Sequence, residues 1–573
     1  MQRNLRNAVT GHHLMSSGSG GDAVFVSNND RKPSFHPRML TFTRFSMMAA
    51  LCVFSSMKAS ARQDGDADWA QIQQQFKCPQ WFSDAKFGIW AHWGAQSQPA
   101  RGGGWYASHM YMQELGKEAW GKDAHPYHLK TYGHPSEKGF KDVIHSWKAE
   151  KLDTDALLGY FKSIGAKYFV ALANHHDHFD NFASTHQPWN SVNVGPKRDI
   201  IGEFSASSKK IGMPFGVSSH DDRMLMFYEH AFGSDKSGPK KGVPYDGNLT
   251  KEDGKGTWWE GLDPADLYGQ PPARRTPEWI ADMKWKWELR HKELIEKYQP
   301  DMLWFDGRGF PYGDHGKEVS RVFYNQSLRK NGRIDSVVVA KIPGDRAIIN
   351  DIERGVAEKI LPHTWQGTTT FTSWFYKEDI PSKHNARTII EMLTDVISKN
   401  GNLLLNVELF PDGTIPPEQK GYLDEVGAWV NLNAEAIFAS KPWVVHGDNL
   451  NSGLNNPENA ISEADLKDAA LLKKRRDYNE RTVHSPPYDP GEVRFTVRDD
   501  KLFVFVLNPA AGRIRLASLG LDSVHKVKTI RSIRLIGSST PVVFTQQKDA
   551  LLMDVPAERP NRHAAVFEIT GAL

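Results

Sequence analysis

The chain has 573 residues, which at roughly 100–200 residues per domain calls for two or three domains, or one large barrel with an appendage. Its formal charge of +3 sits at the front: residues 1–61 hold seven Lys/Arg against two Asp/Glu and leave −2 for the remainder, so no basic surface speaks for a nucleic-acid partner. The 18 Trp supply flat rings of the kind that stack on sugar faces, although the same residues also serve cores.

Arg38 and Arg44 precede an apolar run at 45–54, and Ala59-Ser60-Ala61 has the A-x-A form of a signal-peptidase site. The expectation is an extension with a cleavable signal over 1–61, cut near Ala61, and export to the periplasm or the medium. Met39, just before the signal, is an alternative start. The run is too short to span a bilayer, and no later stretch is long enough. Loss of Cys52 with the signal leaves Cys78 alone, so no intramolecular disulfide is expected.

From residue 81 onward, short apolar runs alternate with amphipathic ones. The run 87–91 reads as a buried strand delivering His92 at its end, followed by a glycine loop, 102–104, with Trp105 and Tyr106. Residues 153–165 read as a helix capped by Asp153 or Thr154 and stopped by Gly165. A second strand, 167–173, then ends in Asn174-His175-His176-Asp177-His178-Phe179-Asp180. Imidazoles and carboxylates at this density suit a metal, yet no helical ligand spacing accompanies them, so no metal is expected. A helix at 200–211 leads to a strand at 214–220 that ends in Ser218-Ser219-His220. Residues 233–275, rich in Gly, Pro, Lys and Asp, read as a long excursion over the barrel mouth. The helix 279–298, capped by Thr276-Pro277-Glu278, feeds Asp301-Met302-Leu303-Trp304-Phe305-Asp306-Gly307, a buried strand that carries one carboxylate to its carboxyl end. In α/β barrels catalytic groups sit at that end, while the same Asp-Gly pair also reads as a plain turn. Strands at 336–340, 348–355, 364–376 and 403–407, with helices at 385–398 and 416–433, complete the pattern. Beyond residue 439 short strand-like segments read as a small antiparallel sandwich. The expected architecture is a (β/α)8-like, TIM-type barrel over 62–438 followed by a C-terminal antiparallel β-sandwich over 439–573.

Five stretches in this order resemble the retaining α-L-fucosidases of glycoside hydrolase family 29: W-F-x-D-A-K-F-G-I-x-x-H-W-G at 81–94, G-A-K-Y…H-H-D at 165–177, G-P-K-R-D at 195–199, L-W-F-D-G at 303–307 and S-K-N-G-N-L-L-L-N-V…D-G-T-I-P at 398–416. The resemblance implies that Asp306 is a nucleophile, that His92, His175 and His176 bind sugar hydroxyls, and that Trp105 and Arg354 line the same pocket. It further implies a fucosylated oligosaccharide, glycoconjugate or polysaccharide as substrate and no cofactor. Retention needs a second carboxyl about 5–5.5 Å from the first. Where many family members have W-E, often as the acid/base, this chain has Trp365-Gln366. Glu353, beside Arg354, is the expected substitute, with Glu260, Asp222 and Glu378 as alternatives. The family's E-W-Y is Gly104-Trp105-Tyr106 here, and an aromatic strand end is Ser218-Ser219-His220; His220 and Trp365 are expected to face the substrate. Gln366 and Gly104 also keep open a carbohydrate-binding protein on a weakened hydrolase scaffold. A metal-dependent hydrolase built on His175, His176 and His178 is the third reading.

Overall fold

The computed structural model describes residues 65–114, 121–378, 380–450 and 488–573, and residues 67–573 form one compact unit. The expected signal peptide lies outside the described residues. Eight strands close into a parallel barrel in chain order: β1 (Phe87–Ala91), β2 (Phe169–Asn174), β3 (Phe215–Ser219), β4 (Met302–Arg308), β5 (Val337–Lys341), β6 (Ile348–Glu353), β7 (Trp365–Thr370) and β8 (Gly401–Asn406). Both faces of these strands are largely buried, which is why β1, β2, β4, β5 and β8 read as apolar runs without alternation, while β6 and β7 carry polar residues into the interior. Inward side chains, among them Trp90, Val170, Met302, Trp304, Val339 and Leu404, fill the interior, while outward ones such as Phe169, Leu303, Val338 and Leu405 pack against helices.

The helices that position the strands are α1 (Trp69–Gln75), α2 (Gln80–Ala85), α3 (Thr154–Ser163), α4 (Ile200–Ile211), α5 (Pro277–Tyr298), α6 (Asp314–Asn331), α7 (Ala386–Ser398) and α8 (Pro417–Leu432). The expected caps form: Asp153 accepts from the Ala156 amide at 2.9 Å, and Thr276 from the Trp279 amide at 3.2 Å, with Pro277 at the first helical position. The connections β5–β6 and β6–β7 carry no helix. α1 packs beside the first of these, where the Trp69 ring meets Phe310 and Tyr324 and its indole N–H donates to Asp345 at 3.1 Å. Helix α6 was not expected from the sequence. Its buried face includes Ser320, Arg321, Asn325 and Ser327, so the apolar period that announces a helix is broken.

The excursion at 233–275 has its own centre. Asp246, fully buried, accepts from the Tyr111 and Tyr268 hydroxyls, each at 2.7 Å, and from Lys141 at 3.1 Å. After the barrel, β9 (Lys441–Asp448), β10 (Val493–Arg498), β11 (Lys501–Val506), β13 (Ser532–Leu535) and β16 (Ala565–Thr570) form one antiparallel sheet, and β12 (Gly512–Leu516), β14 (Phe544–Gln546) and β15 (Leu551–Val555) a second. An ionic joint ties this part to the barrel: Arg494 of β10 donates to Asp395 of α7 at 2.6 Å, and Lys399 reaches the same carboxylate at 2.8 Å.

Candidate active site

Because all eight strands run the same way, their carboxyl ends open on one mouth. β1 delivers His92, β2 His175 and His176, β3 His220, β4 Asp306, β5 Lys341, and β6 Glu353 with Arg354. Residues 306–307 of β4 form a bulge, since Phe305 pairs with Ala340 but Arg308 pairs with Lys341. Gly307 sits at φ +86° there, and a Cβ on it would lie 2.5 Å from the Asp222 carboxylate. Only glycine fits this turn, and the bulge sets the direction of Asp306.

Lys341 is the residue that the expected strand boundary missed by one position. Its ammonium donates to Asp306 Oδ1 at 2.8 Å and bonds Glu353 Oε2. Two hydrogen-bond lengths set an upper bound of roughly 5.5 Å on the separation of the bonded oxygens, close enough for the carboxyl pair of about 5–5.5 Å that a retaining glycosidase uses and too close for the wider pair of an inverting one. Burial opposes ionisation of Asp306, yet the Lys341 charge and the His220 hydrogen bond hold its carboxyl well below the usual carboxylate range. The other oxygen, Oδ2, faces His220 Nδ1 at 3.5 Å, His176 Nε2 at 3.7 Å and the Arg223 guanidinium at 4.0 Å.

Burial pushes all four imidazoles below their ordinary value, His176 to about 3. They are neutral at pH 7, so each presents one donor and one acceptor. His92 Nδ1 lies 3.3 Å from Asn406 Oδ1, whose amide donates to the Trp374 carbonyl at 2.9 Å, so that oxygen is fixed as an acceptor and His92 Nδ1–H donates to it. His176 Nδ1–H donates to the His220 carbonyl, while His175 Nδ1 accepts from Gln96 at 2.9 Å. The tautomers therefore leave His92 and His176 with an acceptor, and His175 with a donor, on the second ring nitrogen.

Aromatic rings close the walls. Trp105 packs on His176 at 5.5 Å and Trp374 on His92 at 5.0 Å; the Arg354 guanidinium lies 5.5 Å over Trp374, and Trp304 stacks on His220 at 4.8 Å. Trp374 and Phe375, beyond the exit of β7, and Trp304, within β4, were legible as aromatic residues but were not singled out. A Cβ on Gly104 would come within 2.8 Å of His175 Cε1 and 3.1 Å of Phe375, so this wall has no room for the carboxylate that the family's E-W-Y pattern carries.

Two expectations need correction. Trp365 does not face the substrate: its indole donates outward to the Lys399 carbonyl at 2.9 Å and packs against Val396 of α7 through Gly401. In a strand whose next residue points inward, it must point out. Gln366 takes nothing from the mouth, because it pairs with Asp351 one layer below Glu353 and is held by the Tyr168 hydroxyl at 2.9 Å and Asp351 at 3.3 Å. The cluster at 175–180 also splits. His178 turns away to the Leu267 carbonyl, at 2.8 Å, and to Asp221, so the trio His175, His176 and His178 does not form.

Two other trios have potential ligand atoms within 4.8 Å of one another, His92 with His175 and His220, and His176 with Asp222 and Asp306. The His175 and His220 rings are stacked at 26°, which keeps their nitrogens from converging on one ion. In the second trio Asp306 is already neutralised by Lys341, so a dication there would face an ammonium. We assign neither trio to a metal. Of the alternative proton donors, Asp222 faces His176 at 3.7 Å, and burial together with the Asp306 charge pushes it up to about 7. Glu378 pairs with Arg101 at 2.9 Å, and Glu260 accepts from the Gly256 amide at 3.2 Å.

Paired carboxylates at the carboxyl end of a closed parallel barrel, walled by indoles and neutral imidazoles, define a glycoside hydrolase. A model of the alpha-L-fucosidase family matches residues 52–435, and the chain belongs to that family. It is 28% identical over 395 residues to the tissue alpha-L-fucosidase of Bos taurus, covering 66% of this chain and 73% of that one. To the alpha-L-fucosidase of Dictyostelium discoideum it is 26% identical over 397 residues, 67% and 76% of the two chains. The crystal structure of Thermotoga maritima alpha-fucosidase superposes with a TM-score of 0.61 at 23% identity, over 88% of this chain and 99% of that one, which establishes the shared fold.

Proposed function

We propose that the protein is an exo-acting, retaining α-L-fucosidase that removes terminal fucose from oligosaccharides, glycoconjugates or polysaccharides. The observation that carries this reading is the single ammonium shared by Asp306 and Glu353. In the first step an Asp306 oxygen attacks the anomeric carbon while the bond to the leaving oxygen breaks, and Glu353 gives that oxygen its proton. The product is a fucosyl ester on Asp306. In the second step Glu353, now a carboxylate, takes a proton from water as the water oxygen displaces Asp306, and two inversions give net retention. The His92 and His176 acceptors with the His175 donor match a set of sugar hydroxyls, and Trp105 and Trp374 offer ring faces to the sugar and exclude water.

Export after cleavage near Ala61 belongs to the same proposal, and the amino-terminal sequence of the protein recovered from its compartment tests it. The activity is tested with an aryl α-L-fucoside. Asp306→Asn should cut turnover by about a thousandfold or more with the fold unchanged. Glu353→Gly should lose rate mainly on poor leaving groups and regain it with azide. Wild-type turnover by Asp306→Asn, or no leaving-group dependence in Glu353→Gly, would overturn the corresponding role.

A further inference from the structure

Lys341 bonds both reacting carboxylates, and the two-step reaction above assigns it no part. Its ammonium lies inside the barrel mouth, 5.4 Å over the Trp304 ring, with a side chain only 13% exposed. Strand β5 places it on the inward face, two residues after Val339, and the β4 bulge brings Asp306 to meet it. We propose that Lys341 is a positioning residue whose ammonium stays paired with whichever of Asp306 and Glu353 carries the negative charge in each half of the reaction. The inference rests on the assignment of those two residues as nucleophile and acid/base.

The charges close at every stage. The roles assigned above require Asp306 to be the anion and Glu353 to hold the proton it will donate before the first step, so that with the Lys341 cation the trio is neutral. As the bond between Asp306 and the anomeric carbon forms, the Asp306 charge vanishes into the ester. At the same moment Glu353 passes its proton to the leaving oxygen and becomes the anion. The trio is neutral again, with the lysine now needed by Glu353. The second step reverses both changes. Without a cation the trio would carry one uncompensated negative charge in a buried site throughout, which is costly.

The surrounding groups cannot take this part. Facing Asp306 besides Lys341 are His176, His220, Asp222 and Arg223, with His92 and His175 also within its field. The four imidazoles are neutral, Asp222 cannot become a cation, and Arg223 stands 4.0 Å off and leans toward Asp222. Facing Glu353 are Lys341, the neutral His220 and, one layer down, Asp351, which is bonded to Gln366 and Thr368. Arg354, the next residue, stacks on Trp374 and makes no ion pair among the described residues.

The test is the pH profile of kcat/KM for Lys341→Met, Lys341→Gln and Lys341→Arg. The acid limb reports protonation of Asp306 and the alkaline limb loss of the proton from Glu353. An ammonium favours both anions, so its removal raises both apparent constants. Met and Gln should each move both limbs to higher pH by about one unit or more, while Arg should leave them close to wild type. Folded Met and Gln variants with limbs unmoved, or with only a lower kcat, would overturn the proposal. A second measurement needs no variant: a structure of the wild-type enzyme trapped as its 2-fluorofucosyl ester should show the ammonium on Glu353 and released from Asp306. An ammonium that keeps Asp306 and frees Glu353 would contradict the partner exchange. Should the trapped sugar sit on another residue, the assignment of the nucleophile fails; a sugar on Asp306 with immobile limbs fails the lysine alone.

Discussion

Gly104 sits where His175 and Phe375 leave space for a hydrogen and nothing larger. A methyl group there must displace an imidazole that Gln96 holds at the neighbouring Nδ1. Gly104→Ala should therefore lower kcat/KM by about tenfold or more, on the order of 1.4 kcal/mol of transition-state stabilisation, with an unchanged Tm. The loss should fall on fucosides with good and poor leaving groups alike, because the damage is to sugar binding and not to proton transfer. Equal loss of stability and activity would instead place the effect in the fold. The same contact shows that His175 and Phe375 occupy the volume a carboxylate side chain would need at this position. Of the two residues that motivated the reading of a non-catalytic carbohydrate binder, Gln366 is a satisfied interior amide and Gly104 makes a close ring contact; turnover of an aryl fucoside decides between that reading and a hydrolase.

Among the elements, the barrel strands were the most readable part of the chain and α6 the least. Strands buried on both faces announce themselves as unbroken apolar runs, and their polar exits at His92, His175, His220 and Asp306 stand out for that reason. β7 hides its side-chain parity for a different reason: Trp-Gln-Gly-Thr-Thr-Thr has one large apolar residue and no period, so nothing in the sequence says that Trp365 points to α7 and Gln366 to the axis. At β5 the run Val337-Val338-Val339-Ala340 was read to its last apolar residue, and Lys341, one further, was lost although the rule that found Asp306 applies to it equally. The joint between α7 and β10 gives an independent check on the element scale. Against burial, the charges of Lys399 and Arg494 hold Asp395 down at about 2. A depressed folded value contributes stability in full above the ordinary carboxylate value and loses it as pH falls through the folded one. Asp395→Asn should cost on the order of 2 kcal/mol at pH 7, read from urea unfolding, and the gap to wild type should close as pH falls from about 4 toward 2. A gap that persists at pH 2 would assign the cost to packing.

At the scale of the whole molecule, chain order made the site legible before any coordinates. Residues spread over some 260 positions, from His92 to Arg354, come to one mouth because a parallel barrel gathers the carboxyl ends of its strands. What order cannot convey is which neighbours share a proton or a charge, and the Asp306–Lys341–Glu353 bridge was invisible for that reason. Asp306 is the proposed nucleophile at the anomeric carbon. Reaction of the wild-type protein with 2-deoxy-2-fluoro-L-fucosyl fluoride, followed by proteolysis and mass spectrometry, reads that role out on the chain itself. One fluorofucosyl group per chain, on Asp306, is the expected result; a label on any other carboxylate, or turnover with no covalent adduct, would exclude Asp306 as the nucleophile.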